Sequence, residues 1–227
     1  MNFPTPRLNE IFESPEGIIS IWGDFGVGKT TFALQTAINT SLQGKKAIFI
    51  YSKPNFPSDR IGDLLKENSI EILDNLVFIK STNFTDLHKI IFNLEFLVLE
   101  VKKEKNTSFD LIVIDSITDL YRLELNKEKK EKNVILNYQL NQILANLTYI
   151  FETYGIEILI INELTRKSYN DQTLEVQSGG KVIDFWILYT IKIERTEILN
   201  VRKLIIRKDL DNIKFELKSS LTQYGFE

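Results

Sequence analysis

Gly23-Asp24-Phe25-Gly26-Val27-Gly28-Lys29-Thr30 is the stretch on which the fold turns. It satisfies G-x-x-x-x-G-K-[ST], a loop whose glycines let the backbone wrap a polyphosphate with its N–H groups turned inward. Before it, Ile18–Trp22 is short, apolar and β-branched; after it, Thr31–Ser41 reads as a helix whose positive N-terminal end would face the same anion. Strand, glycine loop and helix in that order predict a nucleotide-binding α/β core. The eight loop residues and Thr31 are the candidate phosphate contacts. Lys29 would reach the β- and γ-phosphates, and the Thr30 hydroxyl would bind Mg²⁺.

Such a site needs an acid at the end of a neighbouring strand. Phe109-Asp-Leu-Ile-Val-Ile-Asp-Ser116 supplies it, because Asp115 stands where four apolar residues give way to polar ones. It would hold the Mg²⁺ through water. Further apolar runs occur at Ala47–Tyr51, Leu76–Ile79 and Ile156–Ile161. Continuous runs of this kind suit strands of a parallel sheet buried on both faces. Between them, Leu87, Ile91, Leu94, Val98 and Val101 form one helical stripe, and Leu136, Leu140, Ile143, Leu144, Leu147 and Phe151 another. Strand and helix in alternation predict right-handed βαβ units. After Ile161 the pattern changes: Leu188–Glu194, Lys203–Arg207 and Lys214–Leu217 alternate apolar with polar residues, as antiparallel strands with one wetter face would.

Composition narrows the chemistry. The 227 residues suit one large domain, residues 1–227, with a short N-terminal segment over 1–16. The charge sum of 28 − 31 = −3 provides no global field for nucleic acid or lipid, so any polyanion must be held by a local patch. Cysteine is absent, which excludes disulfides, thiolate metal sites and cysteine nucleophiles. The single histidine, His88, excludes paired-histidine metal sites. No run approaches the ~18 apolar residues that span a bilayer, and the N-terminus lacks a signal pattern. The expectation is a soluble cytoplasmic protein.

The string Phe109-Asp-Leu-Ile-Val-Ile-Asp-Ser-Ile-Thr-Asp-Leu-Tyr-Arg-Leu-Glu124 resembles the RecA/RadA recombinase family, and within it the short archaeal RadB-type paralogues. The phosphate loop fits the same group. So do Ile158-Leu-Ile-Ile-Asn162, where the family places a polar sensor at a strand end, and Ser178-Gly-Gly-Lys-Val-Ile-Asp-Phe-Trp186, similar to the family's Gly-Gly segment after its second DNA loop. The resemblance spans about residues 5 to 218. It implies an ATPase with ATP and Mg²⁺ as cofactors, Lys29, Asp115 and Asn162 in catalytic positions, and Arg60 stacked on adenine. It also implies a RecA-like fold: a mixed sheet with parallel central strands, antiparallel C-terminal strands and helices on both faces. No separate N-terminal DNA-binding domain is expected.

Two departures stand out. The register set by Phe56 and Arg60 puts Lys53 where the family carries the glutamate that orients the attacking water. A charged lysine accepts no proton, so hydrolysis is expected to be slow, unless another acid such as Asp59 substitutes. The family's glutamine after the sensor is Glu163 here.

The resemblance also places two DNA loops. The first spans about Asn126 to Asn133 and carries Lys127, Lys129, Lys130 and Lys132, with Arg122 just before it. The second spans about Thr165 to Ser178, with Arg166, Lys167 and Tyr169, and its polar composition reads as a mobile loop. Either loop would bind single-stranded DNA or dock a protein. Arg207 and Lys208 match a basic pair that reaches a neighbour's γ-phosphate, which requires an oligomer. The expectation is an ATP-binding recombinase paralogue that assists recombination and repair through single-stranded DNA, a RadA-type recombinase, or both, with weak or no hydrolysis. The alternatives are a competent DNA-stimulated ATPase and a regulatory ATPase of the wider superfamily that does not bind DNA.

Overall fold

The computed structural model describes residues 1–12, 17–65, 70–105, 108–125, 130–169, 172–208 and 213–227. In chain order the elements are α1 (Pro6–Ile11), β1 (Ile18–Gly23), α2 (Lys29–Leu42), β2 (Lys46–Tyr51), α3 (Ser58–Leu65), β3 (Leu76–Lys80), α4 (Phe84–Lys105) and β4 (Phe109–Asp115). They continue with α5 (Asp119–Glu124), α6 (Lys130–Tyr154), β5 (Glu157–Tyr169), β6 (Gln172–Gln177), α7 (Lys181–Trp186), β7 (Ile187–Arg195), β8 (Val201–Lys208), β9 (Ile213–Thr222) and β10 (Gly225–Phe226). The five apolar runs fall on β1 to β5.

The strands form one sheet in the order β10-β9-β8-β7-β1-β5-β4-β2-β3. The stretch from β3 to β7 is parallel, and β8, β9 and β10 extend it antiparallel. Continuous apolar strands are required because helices cover both faces. Ile48, Ile50, Ile112, Ile114, Ile158 and Ile160 face one cluster with the stripes of α4 and α6. Ala47, Phe49, Leu111, Val113, Leu159 and Ile161 face the other, with Phe32, Ala33, Leu34 and Ala37 of α2. Each large apolar side chain so buried contributes about 1.5–3 kcal/mol relative to exposure. In β7, Ile187, Tyr189, Ile191 and Ile193 are buried while the residues between them are not, so the alternation read from the sequence is a true inside–outside pattern.

The segment expected as a mobile loop over 165–178 is instead a β-ribbon. β5 runs past the sheet and pairs antiparallel with β6, from Leu164↔Gln177 to Tyr169↔Gln172. On this extension Arg166, Lys167 and Ser168 are exposed, where polar side chains are at home. In the first expected loop, Lys130 and Lys132 are exposed on the opening turn of α6, whereas Lys127 and Lys129 lie outside the described residues.

Candidate functional site

The C-terminal ends of β1, β2, β4 and β5 converge, as is usual for ligand sites of open α/β sheets. The glycine loop follows β1. Gly23 has φ +149°, and a Cβ there would stand 2.3 Å from the Ile193 carbonyl oxygen of β7. Gly28 has φ +105°, and a Cβ there would come within 2.8 Å of Leu221 and 3.1 Å of the Phe226 ring. The loop therefore requires glycine at both positions. It is also fastened from the β7–β8 hairpin: Arg195 donates to the Phe25 carbonyl (2.6 Å) and Arg202 to the Val27 carbonyl (3.2 Å). With those two carbonyls held, α2 begins at Lys29 with its N-terminal N–H groups at the mouth of the site.

A cavity of about 620 Å³ opens at the loop, lined by Phe25, Gly26, Gly28, Lys29, Thr30, Thr31, Lys53, Pro54, Arg60, Asp119, Glu163 and Leu221. The glycine cradle, the start of α2 and the lysines on the wall fit a polyphosphate. Lys29 Nζ donates to the carbonyls of Gly23 (2.9 Å) and Asp24 (3.0 Å) and pairs with Glu163 Oε2 at 3.1 Å. Arg60 sits on the cavity wall, donates to the Gln223 carbonyl (2.9 Å) and lies 3.8 Å from Asp63.

The two residues expected to hold Mg²⁺ are joined to each other. Thr30 Oγ1 donates to Asp115 Oδ2 at 2.6 Å. Lys53 closes the group, its Nζ 2.9 Å from Asp115 Oδ1 and 3.0 Å from Thr30 Oγ1. Asp115 is fully buried, and Oδ1 makes no other polar contact among the described residues. Burial works against the Lys53 charge, but the Asp115 carboxylate, with Glu163 and Asp119 further off, outweighs it and holds the ammonium above the ordinary lysine range. Mg²⁺ demands near-octahedral oxygen ligation at about 2.0–2.1 Å. With an ammonium bonded to both candidate ligands, the residues present do not fit that ion. Elsewhere among the described residues, no group of three or more His, Asp or Glu could hold a metal.

Asn162 is buried and does not line the cavity. It accepts from Thr118 Oγ1 (2.5 Å) and donates to the Ser178 carbonyl (3.0 Å), which ties the start of α5 to the foot of the β5–β6 ribbon. Its neighbour Glu163 is the β5 residue that reaches the cavity. On the ribbon, Arg166 pairs with Asp24 of the glycine loop (3.3 Å) and with Glu175 (3.2 Å). Lys192 also pairs with Glu175, at 3.0 Å, and lies 5.0 Å from the centre of the Trp22 ring. Lys167 is exposed, and the Tyr169 backbone pairs with Gln172. Arg122 is exposed at the end of α5 and lines a second cleft of about 570 Å³ with Thr165, Ser178, Gly179, Gly180 and Lys181. Arg207 and Lys208 lie at the opposite end of the sheet from the glycine loop, because Lys208 aligns with Tyr189 whereas Gly23 aligns with Ile193. Neither lines this chain's own cavity at the glycine loop. Arg195 and Arg202 escaped the sequence reading, since a carbonyl acceptor leaves no mark on the residue that offers it.

The Rad51 family model matches residues 9–192. The DNA repair and recombination protein RadB of Methanocaldococcus jannaschii is 30% identical over 224 residues, 97% of this chain and 98% of that protein. The protein of the same name from Methanococcus maripaludis strain C5 is 29% identical over 205 residues, 88% of each chain. That of Methanobrevibacter smithii is 26% identical over 193 residues, 84% of this chain and 78% of that protein.

Proposed function

The chain belongs to the Rad51 family, and from that premise we propose that it is an ATP-binding recombinase paralogue that assists homologous recombination and DNA repair with little or no hydrolysis. The observation that carries this reading is Lys53: the position expected to activate water holds an ammonium paired with Asp115. A protonated amine cannot accept a proton from water, so the site is suited to holding nucleotide rather than splitting it. The glycine loop and Lys29 would hold the phosphates, and Arg60 the base.

The contact with DNA or with a RadA-type recombinase would come from the end that carries the nucleotide. Arg122 on α5, Lys130 and Lys132 on α6, and Arg166 and Lys167 on the ribbon all follow C-terminal ends of parallel strands. The Arg166–Asp24 pair joins that surface to the glycine loop. Nucleotide in the loop and a polyanion on the ribbon would then compete for, or jointly reset, one ion pair. This route does not need hydrolysis.

Steady-state ATP turnover, measured with and without single-stranded DNA and with Lys29→Ala as the blank, tests the reading. Turnover at the blank level supports it, and turnover raised by DNA overturns its second half. One observation favours the rival reading, a working ATPase. Glu163 is a carboxylate on the cavity wall, 3.1 Å from Lys29, and a better placed substitute base than Asp59, which does not line the cavity.

A further inference from the structure

The Lys53 ammonium stands between the Thr30 hydroxyl and the Asp115 carboxylate, the two groups that the loop motif and the strand-end acid assign to a divalent metal. Three features of this arrangement point the same way. Both oxygen groups are committed, to each other and to the ammonium. Asp115 is fully buried with Lys53 as the sole partner of Oδ1 among the described residues, so a carboxylate that a metal would otherwise neutralise is neutralised by the chain itself. Lys53 also lines the cavity at the glycine loop, which puts its charge on the wall that the phosphates would meet. Of the three donors of an ammonium, Asp115 and Thr30 engage two. Among the described residues the third has no partner and is left for a phosphate oxygen.

We propose that Lys53 is a built-in cation that replaces Mg²⁺, so that this chain binds nucleoside triphosphate without a divalent metal. The proposal rests on the reading of the glycine loop as a nucleotide site. A lysine supplies one positive charge at a fixed point. It screens the phosphates and neutralises Asp115, but it cannot present ordered waters or bridge the β- and γ-phosphate oxygens as a hexacoordinate ion does. Binding and hydrolysis are thereby uncoupled: the site keeps the charge balance that holds a triphosphate and lacks the ion that drives its cleavage. A second cation brought to the same carboxylate would meet the ammonium at close range, so Mg²⁺ is expected to add nothing to affinity.

The test is equilibrium binding of N-methylanthraniloyl-ATP to the full chain, in excess EDTA and in millimolar Mg²⁺. Wild type, Lys53→Gln, Lys53→Glu and Lys29→Ala are compared. Wild-type dissociation constants that agree within about twofold in the two buffers, far inside the tenfold that marks 1.4 kcal/mol, are the expected result. Lys53→Gln and Lys53→Glu should bind weakly in EDTA, and Lys53→Glu should recover at least about tenfold with Mg²⁺. The wild-type comparison decides by itself, so a variant that fails to fold leaves the proposal exposed to refutation. Wild type that binds in Mg²⁺ and loses binding in EDTA overturns the built-in cation and leaves the nucleotide reading standing. Wild type that binds in neither buffer, indistinguishable from Lys29→Ala, overturns both.

Discussion

Lys29 Nζ lies 3.1 Å from Glu163 Oε2, and both side chains are largely shielded from water, at 6% and 15% exposure. The lysine that should meet the β- and γ-phosphates is thus held by an anion of the chain itself. A triphosphate must displace that carboxylate and then tolerate it nearby. Glu163→Gln removes the competition and keeps the shape. It should tighten triphosphate binding by about five- to tenfold, roughly the 1.4 kcal/mol expected of a partly buried charge contact. The same variant separates the two functional readings. If Glu163 were a substitute base, wild type would turn over above the blank and the amide would abolish that turnover; if the site holds nucleotide without splitting it, wild type and variant both stay at the blank while affinity rises.

The parallel core was legible because physics leaves it few choices. Runs such as Leu111–Ile114 and Ile158–Ile161 are apolar at every position because helices cover both faces of the sheet. The glycine loop was legible for a similar reason, since Gly23 and Gly28 have φ values and neighbours that exclude a side chain. The β5–β6 ribbon was not. Thr165-Arg-Lys-Ser168 packs no core, so it carries none of the apolar alternation by which a strand is recognised. Two-residue β10 is too short for any pattern. At Lys53 the sequence register revealed the departure, but not the partner. That depends on how β2 and β4 lie side by side, with Tyr51 aligned to Asp115.

The Lys53–Asp115 pair should show itself in stability as a function of pH. Lys53→Met leaves a buried carboxylate uncompensated. The cost is expected to be roughly 3 kcal/mol, the low end for breaking a buried pair, because the Lys53 side chain keeps 27% exposure. The ammonium is held above its unfolded value of 10.5. Its contribution is therefore fully present below that value and is lost only as pH rises through the higher folded value. Urea unfolding of wild type and variant should give a constant gap from neutral pH to about pH 9, closing only beyond the ordinary lysine range. A gap that closes below about pH 9 would show that Asp115 is not holding the ammonium.

The ribbon makes its own prediction. Arg166 is tied to Asp24 and Glu175, so part of its charge is already answered within the chain. The pairing also holds the Asp24 carboxyl below its usual range, after the larger effect of the Phe25 backbone N–H. Asp24→Asn should loosen Arg166 and remove one negative charge from the surface, strengthening single-stranded DNA binding. Lys167→Ala removes an exposed charge and should flatten the salt dependence by about 0.7 in the log–log slope. Fluorescence anisotropy with an oligothymidylate across a salt series reads both effects. An unchanged slope for Lys167→Ala and unchanged affinity for Asp24→Asn would remove the ribbon from the binding surface and favour a protein-docking role.

The last strand ties the C-terminal residues to the nucleotide loop. Phe226 is 1% exposed and meets Phe32 of α2 edge-on at 5.1 Å, with its ring beneath Gly28. Gln35 of α2 fixes it on both sides, accepting from the Phe226 N–H (2.7 Å) and donating to its carbonyl (3.0 Å). Phe226→Ala should cost about 3–5 kcal/mol, the range for emptying a buried aromatic site. The backbone contacts to Gln35 do not depend on the side chain, so the variant keeps the strand in place and removes only the ring. With that support gone, Gly28 and the first turn of α2 lose the surface they rest on. Nucleotide affinity should then fall even at temperatures where the variant is fully folded. Urea unfolding gives the first quantity and a binding titration well below the melting temperature the second. Loss of stability with undiminished affinity would mean that α2 and the loop hold their shape without the ring, so that Arg195 and Arg202 alone set the geometry of the phosphate cradle.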